Sequence, residues 1–216
     1  AERHDLEAHH VALDDEDATM EAALSIFTAT DTTRVTVERV FDPYRAPIQS
    51  FVFADNAGNI GLALPGAIPK RDPRNPVAGL LPGDGTDPRF AWQGFLQGPD
   101  RPLWTGGAAD MFWTANNNVV PPSYKPLIAL DFDPEHRARR IATLLQAKTA
   151  PHTIESMRAM QLDDGEQFAM DVVPLLVAQT KPSNTRASDA LRLLKAWDMH
   201  KAPGRAEPLI FAAWMR

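Results

Sequence analysis

The sequence contains no cysteine in its 216 residues. A disulfide framework, a thiolate nucleophile and a zinc site with cysteine ligands are therefore excluded. Basic residues are also in short supply, since 22 Lys and Arg face 28 Asp and Glu and the formal net charge is −6. We expect no nucleic-acid partner, because proteins that bind nucleic acid usually carry a basic patch.

Long apolar runs are missing as well. No stretch approaches the ~18 consecutive apolar residues of a transmembrane helix, so we expect no membrane-spanning segment, and the opening AERHD does not resemble a signal peptide. Proline, in contrast, is frequent at 19 residues. The prolines and glycines between residues 65 and 90 predict a long irregular loop, anchored by the aromatic residues of 90–95.

The first part of the chain predicts two helices and a β-hairpin. Apolar residues recur at helical spacing over 18–29, and we interpret 33–41 as a helix although its valines also alternate as in a strand. Two apolar runs, 50–54 and 60–64, flank a cluster of Asp, Asn and Gly that is typical of a hairpin turn. Both faces of these strands are apolar, which predicts that both are covered. A further short strand is predicted over 111–115.

The second part of the chain predicts helices only. The first is expected to begin at Asp133, with a proline at its first position and an early acidic residue. Another is expected to begin at Asp163 with a capping box to Glu166 and to kink at Pro174. Further helices are predicted from near Thr153, over roughly 187–198 and over 207–216. The fold class is therefore α+β, in a single segment 1–216 that is mixed over 1–132 and mainly helical over 133–216.

Few residues have the setting that catalysis requires. No serine lies in a Gly-x-Ser-x-Gly context, and His4, His9 and His10 lie in an acidic terminus without a framework that would order a metal site. The triplet 116–118, which is Asn-Asn-Asn, is more informative. An Asn amide at the end of a strand can donate a hydrogen bond to charge that develops on a carbonyl oxygen. Asn also tolerates left-handed turns, and on spacing alone the turn is the favoured interpretation.

Seven strings in order resemble the catalytic β-chain of the penicillin acylase family, a branch of the N-terminal-nucleophile hydrolases. They are APIQSFVFADNAGNIG (46–61), GAIPKR (66–71), DPRNP (72–76), WQGFL (92–96), TANN (114–117), YKP (124–126) and RARRI (137–141). The resemblance covers roughly residues 12 to 216. It implies part of a four-layer αββα sandwich, with an antiparallel sheet fragment and a helical second half.

The resemblance also implies a chemistry. Members hydrolyse linear or β-lactam-attached amides with a serine that a self-cutting precursor exposes at the start of the β-chain. The α-amine of that serine acts as its base, which is plausible because α-amino groups have a pKa of about 7.7–8.0. The resemblance makes Asn116 the oxyanion-hole side chain and Arg137 a support for the nucleophile region. The cluster 116–120 is one residue longer before the tyrosine than in some members, so Asn117 is the alternative to Asn116. From the residues alone, Arg137 could equally be a charge on a helix surface.

The departures from the family pattern set further expectations. Residue 1 is Ala, and the motifs place the start of this chain well inside a family β-chain. We therefore expect the nucleophile-bearing part of the β-chain and the α-chain, from the same precursor, to be partners, and this chain alone to be inactive. Exposed strand edges predict a homodimer or poor solubility for the isolated chain.

A structural calcium ion is the one cofactor that the resemblance suggests. Pro73 falls where many relatives supply a backbone carbonyl to calcium, but Ile128 stands where they supply an aspartate. This departure argues against calcium, so we expect no cofactor. The resemblance further implies a periplasmic or secreted location and a small-molecule amide substrate, and it leaves penicillin, cephalosporin-type and acyl-homoserine lactone substrates open. The alternative function is a non-catalytic binding module derived from the acylase fold.

Overall fold

The computed structural model describes residues 10–13, 17–107, 110–147 and 151–216. Contacts along the chain divide it into two compact units, residues 1–133 and 134–216. The first unit combines helices with two small antiparallel sheets, and the second unit is built from helices. The predicted α+β class is confirmed.

The first unit opens with two helices that pack against each other, α1 (Thr19–Ile26) and α2 (Arg34–Phe41). Both predicted helices are confirmed, and α1 is shorter than the 18–29 range. The start of α2 is set by Thr33, whose side chain accepts a hydrogen bond from the backbone N–H of Thr36.

The face of α1 that turns inward differs from the one the apolar pattern indicates. Ala22 is fully buried, whereas Met20, Leu24 and Phe27 are largely exposed. The hydroxyl of Thr19 accepts hydrogen bonds from the backbone N–H groups of Arg45 and Ala46, at 2.9 and 3.0 Å. These bonds attach the start of α1 to the segment that follows α2. In this orientation the small side chain of Ala22 packs into the first unit.

The larger sheet has three antiparallel strands in the order β1-β2-β5: β1 (Phe51–Ala54), β2 (Ile60–Ala63) and β5 (Leu103–Gly106). The predicted hairpin is confirmed. Its turn is held by the Asp55 carboxylate, which accepts from the backbone N–H groups of Ala57 and Asn59 at 2.9 Å each. The prediction that both faces are covered is wrong for β1, where Val52 is 50% exposed.

The third strand of this sheet is not the predicted segment 111–115, which forms no strand. The edge of β2 is already occupied by β5, with Ile60 opposite Gly106. The chain then leaves the ladder through two hydrogen bonds of 2.9 Å between Gly107 and Asp110. The apolar run from Met111 therefore does not pair with β2.

The Pro-rich stretch 65–90 contains more regular structure than predicted. Strand β3 (Pro69–Arg71) pairs antiparallel with β4 (Trp92–Phe95) in a second sheet. A proline is tolerated at position 69 because it is the first residue of its strand, where a missing N–H removes no essential hydrogen bond of the ladder. The expected anchoring aromatics are half-buried, and the guanidinium of Arg45 lies 4.7 Å from the ring centre of Phe95.

The second unit contains α3 (His136–Gln146), α4 (Ile154–Gln161), α5 (Gln167–Gln179), α6 (Thr185–Ala196) and α7 (Glu207–Trp214). Its core is formed by side chains of α5, of α6 with its C-terminal end, and of α7. These are Ala169, Val173, Leu194, Trp197 and Phe211. The helix starts predicted near Thr153 and for the last two helices are confirmed within about three residues.

Two helix starts are corrected. Helix α3 begins at His136 rather than Asp133, whose backbone N–H donates instead to the carbonyl of Asn116 at 3.0 Å. Helix α5 begins at Gln167 rather than Asp163, whose carboxylate binds the guanidinium of Arg140 at 2.6 and 2.8 Å. Helix α5 continues through Pro174. Among the described residues, none of the helices combines the length and the hydropathy of a bilayer-spanning segment.

Candidate functional site

A cleft of about 320 Å³ lies in the first unit, beside the start of β1 and the end of β2. These strand ends are neighbours because the hairpin register places Phe51 opposite Ala63. The chain before β1, the chain after β2, the first two residues of the Asn triplet and the segment 128–133 form its walls. The lining residues are Ile48, Gln49, Ser50, Leu64, Asn116, Asn117, Ile128, Ala129, Asp131, Phe132 and Asp133.

One wall of the cleft depends on a glycine. Gly66 has φ +137°, and a Cβ at this position would lie 2.7 Å from Cγ1 of Ile48. The following residue, Ala67, donates its N–H to the carbonyl of Arg45 at 2.9 Å. A residue without a side chain is therefore required where the chain after β2 crosses the chain before β1.

Asn116 lies at the opposite wall with an exposed side chain and a left-handed backbone, at φ +61°. Its carbonyl accepts the hydrogen bond from Asp133, which joins the triplet to the 131–133 wall. Asn is the residue type after Gly that most readily adopts this conformation, because its short polar side chain offsets part of the steric cost. The left-handed turn that the sequence analysis considered is thus present, at a residue that also faces the cleft.

The other two members of the triplet use their side chains locally. The Oδ1 of Asn117 accepts from the N–H of Ala115 at 3.0 Å, and its Nδ2 donates to the carbonyl of Asn118 at 3.1 Å. The Oδ1 of Asn118 accepts from the N–H of Val120 at 3.1 Å. From the sequence, Asn117 is the alternative to Asn116 as the donor, and its hydrogen bonds to the backbone were not predicted. The signal was its position directly after a residue suited to a left-handed turn, where Asx side chains often bond the backbone.

The cleft has an acidic rim. Among the described residues that line it, the charged ones are Asp131 and Asp133, and both are exposed. A negative charge that formed on a bound carbonyl oxygen would therefore depend on neutral N–H donors, since none of the described lining residues carries an ammonium or guanidinium group. A side-chain amide can supply such a donor.

Arg137, the second residue of α3, belongs to the second unit and is exposed there. Two other arginines of α3 form ion pairs with aspartates. Arg139 forms a two-point pair with Asp171 at 2.9 and 3.0 Å, and Arg140 forms the pair with Asp163. The role that the resemblance gives to Arg137 stays a prediction.

Pro73 lies in an exposed turn directly after β3. The adjacent Asp72 is buried, and its carboxylate accepts from the backbone N–H and the guanidinium of Arg74 and from the amide of Gln93. The Arg74 side chain holds the pKa of Asp72 well below its usual range.

The surroundings of Pro73 do not fit a calcium ion, which takes six to eight oxygen ligands. The charge of Asp72 is already balanced by Arg74, and Ile128 offers no oxygen from its side chain. The described residues contain no group of three or more His, Asp or Glu side chains arranged to hold a metal. His4 and His9 lie outside the described residues. The absence of a cofactor stays a prediction.

Comparison with known proteins places these features in a family context. The family described as penicillin amidase matches residues 2–216. The acyl-homoserine lactone acylase QuiP of Pseudomonas fluorescens is 28% identical over 196 residues, which are 83% of this chain and 23% of that protein. The protein of the same name from Pseudomonas syringae pv. tomato is 32% identical over 160 residues, covering 72% of this chain and 19% of that protein. The chain thus spans less than a quarter of either relative.

A solved structure, the thermostable penicillin G acylase from Alcaligenes faecalis, is similar over 91% of this chain and 36% of its own, with a TM-score of 0.69 and 17% identity. At this identity the likeness shows the fold alone. It confirms the prediction of an α+β segment of the N-terminal-nucleophile type.

Proposed function

Because the chain belongs to the penicillin amidase family, a family of amide hydrolases, we propose that it forms part of an enzyme that cleaves an acyl-amide bond. In this proposal Asn116 donates its side-chain N–H to the oxyanion of the reaction. One observation carries the proposal: Asn116 lies at the wall of the cleft in a left-handed backbone conformation, with its carbonyl held by Asp133.

The proposed reaction uses a serine that lies outside these 216 residues. Its hydroxyl oxygen attacks the amide carbon while the α-amine of the same serine takes the hydroxyl proton. The carbonyl oxygen becomes an oxyanion, to which Asn116 donates a hydrogen bond. The C–N bond then breaks, the α-ammonium returns the proton to the leaving amine, and water hydrolyses the acyl ester to release the acid and the serine.

Geometry favours Asn116 over Asn117 as the donor. The amide of Asn117 bonds the backbone at both of its ends. An amide engaged in this way would have to break a local bond before it could reorient towards a substrate. Asn116 is exposed at the cleft, whereas Asn117 is half-buried.

The cleft and the relatives support an N-acyl amide as the proposed substrate class. Its apolar lining, which includes Ile48, Leu64 and Ile128, suits the acyl part of an N-acyl amide. The matching relatives are named acyl-homoserine lactone acylases, so an N-acyl-homoserine lactone is the first substrate to test and a phenylacetyl amide the second. We further propose that Arg137 supports the nucleophile region, that the remainder of the same precursor is the partner, and that the location is periplasmic or secreted.

The test measures steady-state hydrolysis of both substrates by the complete protein that carries this sequence. Removing one preorganised oxyanion donor lowers kcat by about 10²–10³, so Asn116→Ala should do the same. The matched control is Asn118→Ala, because the Asn118 side chain caps Val120 and lies outside the cleft lining. Full activity of Asn116→Ala would refute the assigned role. Binding of either substrate without turnover by the complete protein would favour the non-catalytic module.

A further inference from the structure

We propose that Asn117 is a positioning residue, which holds the backbone of Asn116 in the left-handed conformation and so aims its side chain into the cleft. This inference rests on the proposed function of Asn116. It assigns Asn117 no contact with the reacting atoms.

The first step is a hydrogen bond that spans Asn116. The N–H of Ala115 donates to Oδ1 of Asn117 at 3.0 Å. The bond closes a small ring that runs from the backbone of Ala115 through the backbone of Asn116 to the side chain of Asn117. Ala115 is 8% exposed, so water competes little for this N–H.

The second step fixes the orientation of the Asn117 amide. Its Nδ2 donates to the carbonyl of Asn118 at 3.1 Å. The carboxamide is planar and is therefore held at both its oxygen and its nitrogen. These two bonds identify the oxygen of the Asn117 amide as the atom that accepts from Ala115. If the amide were rotated by about 180°, its NH₂ group would face the N–H of Ala115, and two donors cannot form a hydrogen bond.

The third step is the conformation itself. Asn116 has φ +61°, a conformation that is costly for most L-amino acids and less so for Asn. The carbonyl of Asn116 accepts the hydrogen bond from Asp133. The ring through Asn117 constrains the φ and ψ angles of Asn116. Without the ring, Asn116 can relax towards ordinary negative φ and carry its side chain away from the cleft.

A positioning role predicts a specific kinetic pattern. A donor must be held within about 0.5 Å of its productive position, and the oxyanion exists only along the reaction path. We therefore expect Asn117→Ala to lower kcat by about 10-fold, a magnitude between the loss of one net hydrogen bond and the loss of a donor. The KM should change by less than about twofold.

The decisive experiment is a double-mutant cycle in the complete protein, with the substrate that it hydrolyses. If Asn117 acts through Asn116, the double variant Asn116→Ala/Asn117→Ala should be no slower than Asn116→Ala alone. A purely structural role would reduce activity in both backgrounds by the same factor. Multiplicative losses, or an unchanged kcat for Asn117→Ala, would overturn the inference. Asn118→Ala serves again as the control and should match the unmodified enzyme.

Asn117→Gln provides a second variant that keeps the amide but places it one methylene farther from the backbone. It should lower kcat as Asn117→Ala does, and full activity would count against the inference. It also serves if Asn117→Ala does not fold, a point that circular dichroism decides. The two proposals fail separately: full activity of Asn116→Ala removes the function of Asn116, whereas a slow Asn116→Ala beside a fast Asn117→Ala removes only the positioning role.

Discussion

The two units of this molecule obtain their shape in different ways. In the second unit, helices bring Val173, Leu194 and Phe211 into one apolar core, and burial of that core is the main stabilising term. Around the cleft of the first unit, single polar or glycine residues define the backbone, among them Gly66 and Asn117. The difference teaches that the second unit should respond to lost volume, whereas the cleft should respond to lost backbone freedom or a lost side-chain bond.

The largest effect is expected from a lost side chain in the core of the second unit. Leu194 is fully buried, and Leu→Ala changes in cores cost about 2–5 kcal/mol because a cavity remains. Leu194→Ala should lower the free energy of unfolding by this amount, as measured by urea denaturation followed by helical circular dichroism. The control is Leu209→Ala, since Leu209 is 75% exposed on α7 and should cost within about 0.5 kcal/mol. Equal losses of stability for the two changes would mean that the second unit does not depend on its buried core, which would contradict the contrast with the cleft.

The next largest effect is expected from backbone strain at the cleft. Gly66→Ala adds a Cβ that would lie 2.7 Å from Ile48 Cγ1 at φ +137°, and a strained residue of this kind costs about 1–3 kcal/mol. Gly58→Ala is the matched control, because Gly58 also has positive φ, +85°, but a Cβ there meets nothing within 4 Å. Urea denaturation should rank Gly66→Ala as the more costly change. The reverse order would mean that the crossing of the two chains does not constrain the cleft.

The smallest effect concerns the pair between Asp163 and Arg140, whose side chains are 14% and 19% exposed. Hydrogen bonding to Arg140 lowers the pKa of Asp163 in the folded protein. Its stabilising contribution is therefore fully present above the unfolded pKa of about 3.9 and is lost as pH falls through the folded pKa. Asp163→Asn should cost about 1 kcal/mol at pH 7, and the difference from the unmodified protein should narrow below about pH 4. A difference that is as large at pH 3 as at pH 7 would exclude this linkage.

The sequence predicted those elements whose signals are local. The hairpin at Gly58 and the helix start at Thr153 follow from residues within a few positions of each other, and both are confirmed. At Asp133 the backbone N–H donates to Asn116, and the helix begins three residues later. The misplaced start at Asp163 has a tertiary cause. Its carboxylate has the right chemistry for an N-cap, but it is bound by the guanidinium of Arg140, a residue distant in the sequence. Such competition cannot be read from spacing.

The candidate site divides in the same way. The family strings indicate Asn116 from the sequence alone, because TANN at 114–117 stands in order with six other strings. A left-handed turn at the triplet is what the spacing alone favours. That Asn117 bonds Ala115, and that Ile48 and Leu64 share a cleft with the triplet, could not be predicted. These relations join residues whose side-chain directions depend on the folded backbone.

The sequence by itself therefore determined the class of the fold, the family and the residue type at the candidate site. It did so because periodicity, turn chemistry and ordered motifs are properties of neighbouring residues. Tertiary structure alone decided that α1 turns Ala22 inward, that β5 takes the place of 111–115 beside β2, and that Gly66 shapes the cleft. The physical reason is that several segments compete for the same strand edge or the same buried space, and only their simultaneous packing settles which one occupies it.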